Sequence, residues 1–394
     1  MEVGKSVVLV TGATGCVGSR TVVELLRASA ARVVLLVRGA SQADACDRMN
    51  RVLRYWSLDP EVPELAERIR VVRGDILEPE LGLEPGEREA LARELTHIVH
   101  CATDIKLNLP LDQAREVSVG GTRNAVALAR RCQANGQFRG FSFLSTLEVA
   151  GDYRGVIYEE FLTEYRRGFL NTYEQTKAEA EEYLREQHAQ GLPVTVFRTS
   201  MVVGDSETGK TTRFGSFYYL LADMLLDPPS RLMPGSDRFV IDTVPVDFLA
   251  RVIVRLYDEP SAVGAVYHPM AGAERAINLT DFVARAPAHL PHDVRTRPAR
   301  FISPALVRGV LRAVRPLTSG ALRRSVDRQL LFLEFFFVSW QFDTARLRAV
   351  IEPEGLEIPR LLDYLPALCH YYLAQRTGRG GIPRELAVTT KAER

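Results

Sequence analysis

The chain has 394 residues, a formal net charge of +1 and 46% apolar residues, an ordinary soluble composition on a length that points to two domains. A charge balance this close to zero gives no reason to expect a nucleic-acid partner. The longest apolar run, Leu330 to Trp340, contains Glu334 and is too short to span a bilayer.

Met1 leads straight into a strand, without a signal peptide. Val7 to Val10 is a β-branched run next to glycine, the pattern of a strand buried on both faces. A helix from Val17 to Ala28 follows, with Val22, Leu25 and Leu26 on one side. Further buried strands are expected at Arg32–Val37, Ile69–Val72, His97–His100, Phe141–Leu144 and Val194–Phe197. Helical stretches lie between them, including 114–134. This alternation predicts an α/β fold, a doubly wound parallel sheet with helices on both faces.

After Arg198 the rhythm breaks. A Gly/Ser/Thr loop over 204–216 precedes an aromatic-rich helix, Phe217 to Leu226. A helix over 247–257 and a returning strand, Ala265 to His268, come next. Ser303-Pro304 reads as an N-cap and first turn for a helix ending near Pro316. The expected organisation is a nucleotide-binding domain over 1–200, to which 240–270 returns. A smaller, mostly helical substrate region takes 201–239 and 271–375, and 376–394 reads as a disordered tail. The cysteines at 16, 46, 101, 132 and 369 are odd in number and lack a C-x-x-C pair. They read as free thiols of a reducing compartment, hence a cytoplasmic protein, with peripheral membrane association left open.

Thr11-Gly-Ala-Thr-Gly-Cys-Val-Gly18 sits between the first strand and its helix. Glycines there permit a tight turn, close backbone approach to a pyrophosphate, and close helix–strand packing. The helix N-terminus adds free N–H groups and partial positive charge. Gly12, Thr14, Gly15, Val17 and Gly18 are therefore candidate cofactor contacts in a Rossmann unit. Where an NAD enzyme places a carboxylate after strand two, this chain has Arg38, whose charge and fork suit a 2′-phosphate and favour NADPH.

Tyr173 and Lys177 stand four residues apart, one helical turn, so they share a face. An ammonium there favours the phenolate; a pKa near 7 implies a shift of about three units, roughly 4 kcal/mol. The tyrosine then exchanges a proton with a carbonyl oxygen as hydride arrives or leaves. Ser145-Thr146 follows strand five at the ligand-binding end of the sheet, where a hydroxyl can orient the reacting oxygen.

Together these residues resemble the extended short-chain dehydrogenase/reductase family over about residues 5 to 270. The matching strings are TGATGCVG, Gly74-Asp75-Ile76, His100-Cys-Ala, Gly121-Thr122, LSTLEVAG, YEQTK and Phe197-Arg198. The resemblance implies that Asp75 and Ile76 meet the adenine and that the Cys101-Ala102 backbone lies near the cofactor. It makes Thr146 the hydroxyl residue, Tyr173 the acid/base and Lys177 a ribose contact. Ser118 stands where many members carry asparagine. Arg198-Thr-Ser-Met-Val-Val-Gly-Asp-Ser-Glu-Thr-Gly209 resembles the thioester reductase and fatty acyl reductase branch. The T-D-E triplet of sugar dehydratases is broken by Leu147, leaving Glu148.

The expected function is an NADPH-dependent reductase of a long apolar acyl thioester, on coenzyme A or a carrier protein. A ketone, sterol or sugar-nucleotide oxidoreductase and a non-catalytic dinucleotide-binding regulator are the alternatives. Phe217-Tyr-Tyr-Leu-Leu and the Leu330–Val338 stretch either line a greasy site or are simply core. Between 295 and 328 nine arginines (295, 297, 300, 308, 312, 315, 323, 324 and 328) face one acid, Asp327. Arg308, Arg312 and Arg315 share a helix face opposite Leu306, Val310, Leu311 and Val314. That pattern suits an anionic membrane surface, an acidic acyl carrier protein or coenzyme A phosphates; a solvated face on a core-packed helix has the same pattern.

Overall fold

The computed structural model describes residues 6–376, apart from 108, 154, 163–167, 227–231, 291, 293, 295, 297–299 and 338–339. The expected tail beyond Arg376, together with Arg295 and Arg297, lies outside the described residues. The side chain of Arg328 is also outside them.

Seven strands form the main sheet: β1 (Val7–Thr11), β2 (Arg32–Val37), β3 (Ile69–Arg73), β4 (His97–His100), β5 (Gly140–Thr146), β6 (Val194–Thr199) and β7 (Val266–Tyr267). Their order is 7-6-5-4-1-2-3 and every pairing is parallel. The longer helices are α1 (Cys16–Ala28), α2 (Gln42–Tyr55), α3 (Pro85–Glu94), α4 (Gly121–Ala134), α5 (Thr172–Ala189), α6 (Val246–Leu256), α7 (Pro304–Val314), α8 (Gly320–Glu334) and α9 (Leu361–Arg376).

Strand geometry divides the core into two layers. Val8 and Val10 of β1, with Val33, Leu35 and Val37 of β2, point to the face covered by α1, α2 and α6. Val7, Leu9, Val34 and Leu36 point to the opposite face, under α3, α4 and α5. Successive side chains alternate across a strand, so a run apolar at every position needs cover on both sides, and receives it. The doubly wound fold read from the sequence is the one observed.

Sheet order reverses around β1 and β4, and the crevice beyond their carboxyl ends is where such folds bind ligands. The observed strands match the expected ones to within two residues at each end, including the returning strand β7.

A third core joins the segment after β6 to the end of the chain. Phe217, Tyr218, Leu221 and Leu225 pack with Leu279, Phe282, Leu361, Leu365 and Leu368. Phe217 and Tyr218 are each 1% exposed, so these two aromatics are core, while Tyr219 between them and Leu221 is 60% exposed. Ser303 stands at the N-cap of α7 but makes no capping side-chain hydrogen bond. Among the described residues no helix is long and apolar enough to cross a membrane. Cys16, Cys46, Cys101 and Cys132 are free thiols.

Candidate active site

The turn from β1 into α1 is built around glycine for steric reasons. Gly12 has φ +70°, and a Cβ there would lie 2.8 Å from the Ala102 nitrogen. A Cβ on Gly18 would lie 2.2 Å from the Gly12 carbonyl oxygen. Gly15 occupies the N-cap of α1 without a side-chain cap, and the first turn carries no acid. Open amide donors and partial positive charge thus meet at a cradle with no side-chain bulk, which fits a pyrophosphate. The β4 end is fastened to the same turn. The Cys101 N–H donates to the Thr11 carbonyl at 3.3 Å, and the Ala102 N–H to Thr11 Oγ1, also at 3.3 Å. His100 Nδ1 hydrogen-bonds with Thr11 Oγ1 at 2.8 Å. Burial, then the charge of Lys177, pulls His100 down to about 3, so this ring is a neutral brace. Burial pushes the Cys101 thiol up to about 12, which keeps it unreactive.

Arg38 is exposed at the end of β2. Sequence reasoning missed its companion, Arg48, which reaches across from α2 and donates to the Arg38 carbonyl at 3.4 Å. Burial lowers the pKa of Arg48, with the Arg38 charge adding to the effect. Asp75 is half-buried, and its Oδ1 accepts from Leu77 N–H at 3.1 Å. Ile76 is 9% exposed. Its Cδ1 would lie 2.7 Å from a Cβ on Gly121, so the small residue at the start of α4 seats this side chain.

Thr146, Tyr173 and Lys177 converge at the end of β5. The Thr146 hydroxyl stands near the Tyr173 phenol and favours its ionised form, whereas Ser145, one residue earlier, points the other way and donates to Glu181. Glu181 in turn pairs with Arg198 at 2.8 Å, both side chains fully buried. The alternation of the strand thus selects Thr146 for the site and gives Ser145 to the interior. Lys177 Nζ donates to the Leu144 carbonyl at 2.6 Å and lies 4.0 Å from the centre of the Phe143 ring. Burial pulls the Lys177 ammonium down to about 8, against the charge of Glu181.

The expected depression of the tyrosine is not observed. Burial pushes the Tyr173 phenol above its ordinary value, the charges of Glu148 and Glu174 add to this, and only the nearby Thr146 hydroxyl opposes it. The reason is geometric: the ammonium is directed at the Leu144 carbonyl, and two carboxyls flank the ring. Tyr173 is therefore held as a protonated donor.

Glu174 is fully buried and accepts from Leu170 N–H at 2.9 Å and Asn171 Nδ2 at 2.8 Å. Asn171 caps the helix in return through Glu174 N–H at 3.0 Å. This is a variant of the N-x-x-E capping box, with the carboxyl reaching back to Leu170 N–H and the Asn171 amide, and the N-x-x-E spacing is legible in the sequence. Glu148 lies in the turn Leu147–Ala150 after Thr146 and is partly exposed, and its N–H donates to Thr146 Oγ1 at 3.3 Å. Both carboxyls are pushed above the usual carboxylate range, first by burial.

Ser118 lies in a π-helical segment, Glu116–Gly120. Its hydroxyl donates to the Thr176 carbonyl at 3.2 Å, so the serine keeps a hydrogen bond onto the catalytic-face helix.

The Val202–Gly209 signature uses its polar atoms inside the protein. Asp205 Oδ1 accepts from Thr208 N–H at 3.0 Å, and Asp205 Oδ2 lies 3.4 Å from Arg20 Nε on α1. Ser206 donates twice to Asp247 on α6, at 2.7 and 2.8 Å. A Cβ on Gly209 would lie 2.2 Å from the Ala367 carbonyl oxygen on α9. This loop fixes the nucleotide half to the C-terminal helix.

In the basic segment, Arg308 and Arg312 pair with Glu334 at 3.1 and 2.8 Å, and Arg315 with Asp327 at 2.6 Å. The arginine face of α7 thus meets α8. The apolar face is turned out: Leu306 is 63% exposed, Val310 53% and Leu317, just beyond the helix, 86%. α7 is therefore not packed into a core by its apolar face, while its arginines are ion-paired and partly solvated, Arg312 being 60% exposed.

The family model described as male sterility protein, an NAD-binding family, matches residues 10–253. A linear gramicidin synthase of Brevibacillus parabrevis is 28% identical over 264 residues, 66% of this chain and 5% of that protein. A carboxylic acid reductase of Segniliparus rugosus is 31% identical over 278 residues, 63% of this chain and 23% of the relative. A putative fatty acyl-CoA reductase of Drosophila melanogaster is 24% identical, covering 70% of this chain and 56% of its own length. The chain thus spans a minor part of the first two and just over half of the third. The solved terminal R domain of the myxalamid pathway superposes with a TM-score of 0.79 at 26% identity, covering 97% of this chain and 94% of its own. The glycine cradle, the doubly wound sheet and these likenesses agree: the chain belongs to the male sterility family, an NAD-binding family of extended short-chain dehydrogenase/reductases whose members include thioester and fatty acyl reductases.

Proposed function

We propose that the chain is an NADPH-dependent reductase of long, apolar acyl thioesters, carried on coenzyme A or a carrier protein, yielding aldehyde and thiol. The observation that carries this reading is the Thr146–Tyr173–Lys177 cluster beside the glycine turn, with the phenol held protonated. The kinship with a gramicidin synthase, a carboxylic acid reductase and a fatty acyl-CoA reductase supports an activated acyl group as substrate.

Gly12, Thr14, Gly15, Val17 and Gly18 would hold the pyrophosphate. Asp75 and Ile76 would border the adenine, and Cys101 and Ala102 would border the nicotinamide side. Arg38 and Arg48 together would present two guanidinium groups to a 2′-phosphate, which favours NADPH. Bound NADPH supplies the hydride. Thr146 and Tyr173 would hydrogen-bond the thioester carbonyl oxygen and stabilise its developing negative charge. Tyr173 would then deliver its proton to that oxygen. Lys177, positively charged below about 8, would hold the ribose and keep positive charge near the reacting oxygen. The outward apolar face of α7, on a segment rich in arginine, would receive an anionic carrier.

The test is an NADPH-consumption screen across acyl-coenzyme A chain lengths, sugar nucleotides and ketosteroids. Consumption with long acyl thioesters alone is expected. Turnover of sugar nucleotides or ketosteroids, with none on any thioester, overturns the proposal.

A further inference from the structure

Tyr173, Lys177 and Glu181 stand at four-residue intervals along α5, so they occupy successive turns of one helix face. The first two are assigned to the reaction; the third is not. Glu181 is fully buried and is held by two strands of the sheet. From β5 the Ser145 hydroxyl donates to its Oε1. From β6 the Arg198 fork closes on both oxygens, with Nε at 3.1 and 3.0 Å and Nη2 at 2.8 Å. Stability alone is a weak reason for such a pair, since apolar side chains of similar volume often serve as well.

The partners of Glu181 say what it fixes. Ser145 stands between Thr146 and Leu144, and the Leu144 carbonyl accepts from Lys177 Nζ at 2.6 Å. Ser145 and Arg198 are also register partners across β5 and β6. Two neighbouring residues of β5 are thus tied to two residues of α5 one turn apart, Leu144 to Lys177 and Ser145 to Glu181. A slide or a rotation of α5 over the sheet would break both ties. Glu181 also sets a carboxylate one turn from the ammonium, which favours its charged form. The end of β4 brings His100 and Cys101 near the same ammonium, and burial keeps both uncharged at neutral pH. The charge of Arg198 on β6 is engaged by Glu181 itself.

We propose that Glu181 is a positioning residue: by clasping Ser145 and Arg198 it sets where α5 presents Tyr173 and Lys177 to Thr146. It acts through the helix and not on the substrate. This rests on the roles given to Tyr173 and Lys177 in the reductase reading above.

The experiment separates positioning from support of the fold. Glu181→Leu combined with Arg198→Leu removes the carboxylate and its counter-ion together, an exchange that often keeps or raises stability. Ser145→Ala cuts only the tie to β5 and leaves the ion pair in place. Both are compared with native enzyme by melting temperature, NADPH affinity from fluorescence titration, and kcat and kcat/KM against pH on a long-chain acyl-coenzyme A. The double variant should melt close to native yet turn over about 10²-fold more slowly, the scale of loss when a reacting group is misplaced. Its NADPH affinity should fall as well, because Lys177 no longer meets the ribose squarely. Without the neighbouring carboxylate the ammonium gives up its proton more readily. The alkaline limb, near 8 in the native enzyme, should therefore move about one pH unit to the acid side. Ser145→Ala should lower kcat by a smaller factor and leave the limb where it is. Native kcat in either folded variant overturns the role of Glu181 while leaving Tyr173 and Lys177 in theirs. If the native enzyme oxidises no NADPH on the thioester, the reductase reading falls and this role with it.

Discussion

The parallel sheet and the α7–α8 hairpin turn their apolar residues in opposite directions. In β1, Val8 and Val10 go to one layer and Val7 and Leu9 to the other, none more than 7% exposed. In α7 the apolar stripe that contains Leu306 and Val310 is open to solvent, while Arg308 and Arg312 pair with Glu334 of α8. Both segments are strongly patterned. A strand apolar at every position has only one solution, cover on both faces. An amphipathic helix has two, because periodicity says which residues share a face and not which face is inside. In the hairpin the arginine side pairs with α8 and Leu306 and Val310 stay exposed. Chemistry should therefore reside in the sheet and recognition in the hairpin, and substitutions in each should separate these properties.

The largest effects are expected at the sheet. Tyr173→Phe removes only the transferable proton, so turnover should fall by about 10² to 10⁴ with NADPH binding retained. Lys177→Ala should damage both turnover and cofactor affinity. Stopped-flow kinetics with fluorescence titration of NADPH separate the two, and a near-native rate in Tyr173→Phe would make the cluster structural. Glu181→Leu leaves Arg198 buried without its counter-ion, and such losses cost about 3 to 5 kcal/mol. Thermal or urea unfolding should show it, and native stability in this variant would place compensation elsewhere.

Smaller effects should follow at the cofactor. Gly18→Ala puts a Cβ 2.2 Å from the Gly12 oxygen, so NADPH binding should weaken sharply while the fold survives. Arg38→Asp should raise KM for NADPH and change that for NADH little; equal use of both cofactors by the native enzyme would remove Arg38 from the 2′-phosphate site. Lys177 loses its positive charge as pH rises through about 8. The kcat/KM profile should then fall on the alkaline side near that value, and a profile flat to pH 10 would detach the lysine from catalysis.

Much of this was legible in the sequence for physical reasons. β-branched runs fix buried strands, and glycines at 12, 15 and 18 fix a turn that tolerates no side chain. The Tyr173–Lys177 spacing fixes a shared helix face. What the spacing does not carry is direction: Lys177 turns to the Leu144 carbonyl, and two carboxyls then hold Tyr173 protonated. Arg48 was invisible because its nearness to Arg38 depends on how α2 returns over β2. Glu174 was readable as the partner of Asn171 but not as a neighbour of Glu148, since 26 residues separate them in the chain. The Val-Val-Gly-Asp-Ser signature marks the branch, yet its side chains bind α1 and α6, so family resemblance located a joint between elements rather than a substrate contact.

The smallest effect on fold and chemistry, and the most selective one, is expected in the hairpin. Changing Arg308, Arg312 and Arg315 to Gln removes three partly exposed ion pairs. Pairs of this kind contribute little to stability, so the melting temperature should hardly move. The catalytic residues are untouched, and reduction of a small free aldehyde should continue at the native rate. Carrier-bound thioester should instead show a raised KM, because the arginine-rich segment loses the charge that attracts an anionic partner. Leu306→Ser and Leu317→Ser should raise the same KM, since they remove the outward apolar surface that the partner would cover. Salt should mimic the arginine variant and not the serine one, because screening at 1 M acts beyond about 3 Å and leaves apolar contact in place. If KM for the carrier-bound substrate is unchanged in both variants, the hairpin is a solvated appendage and the carrier docks on another face.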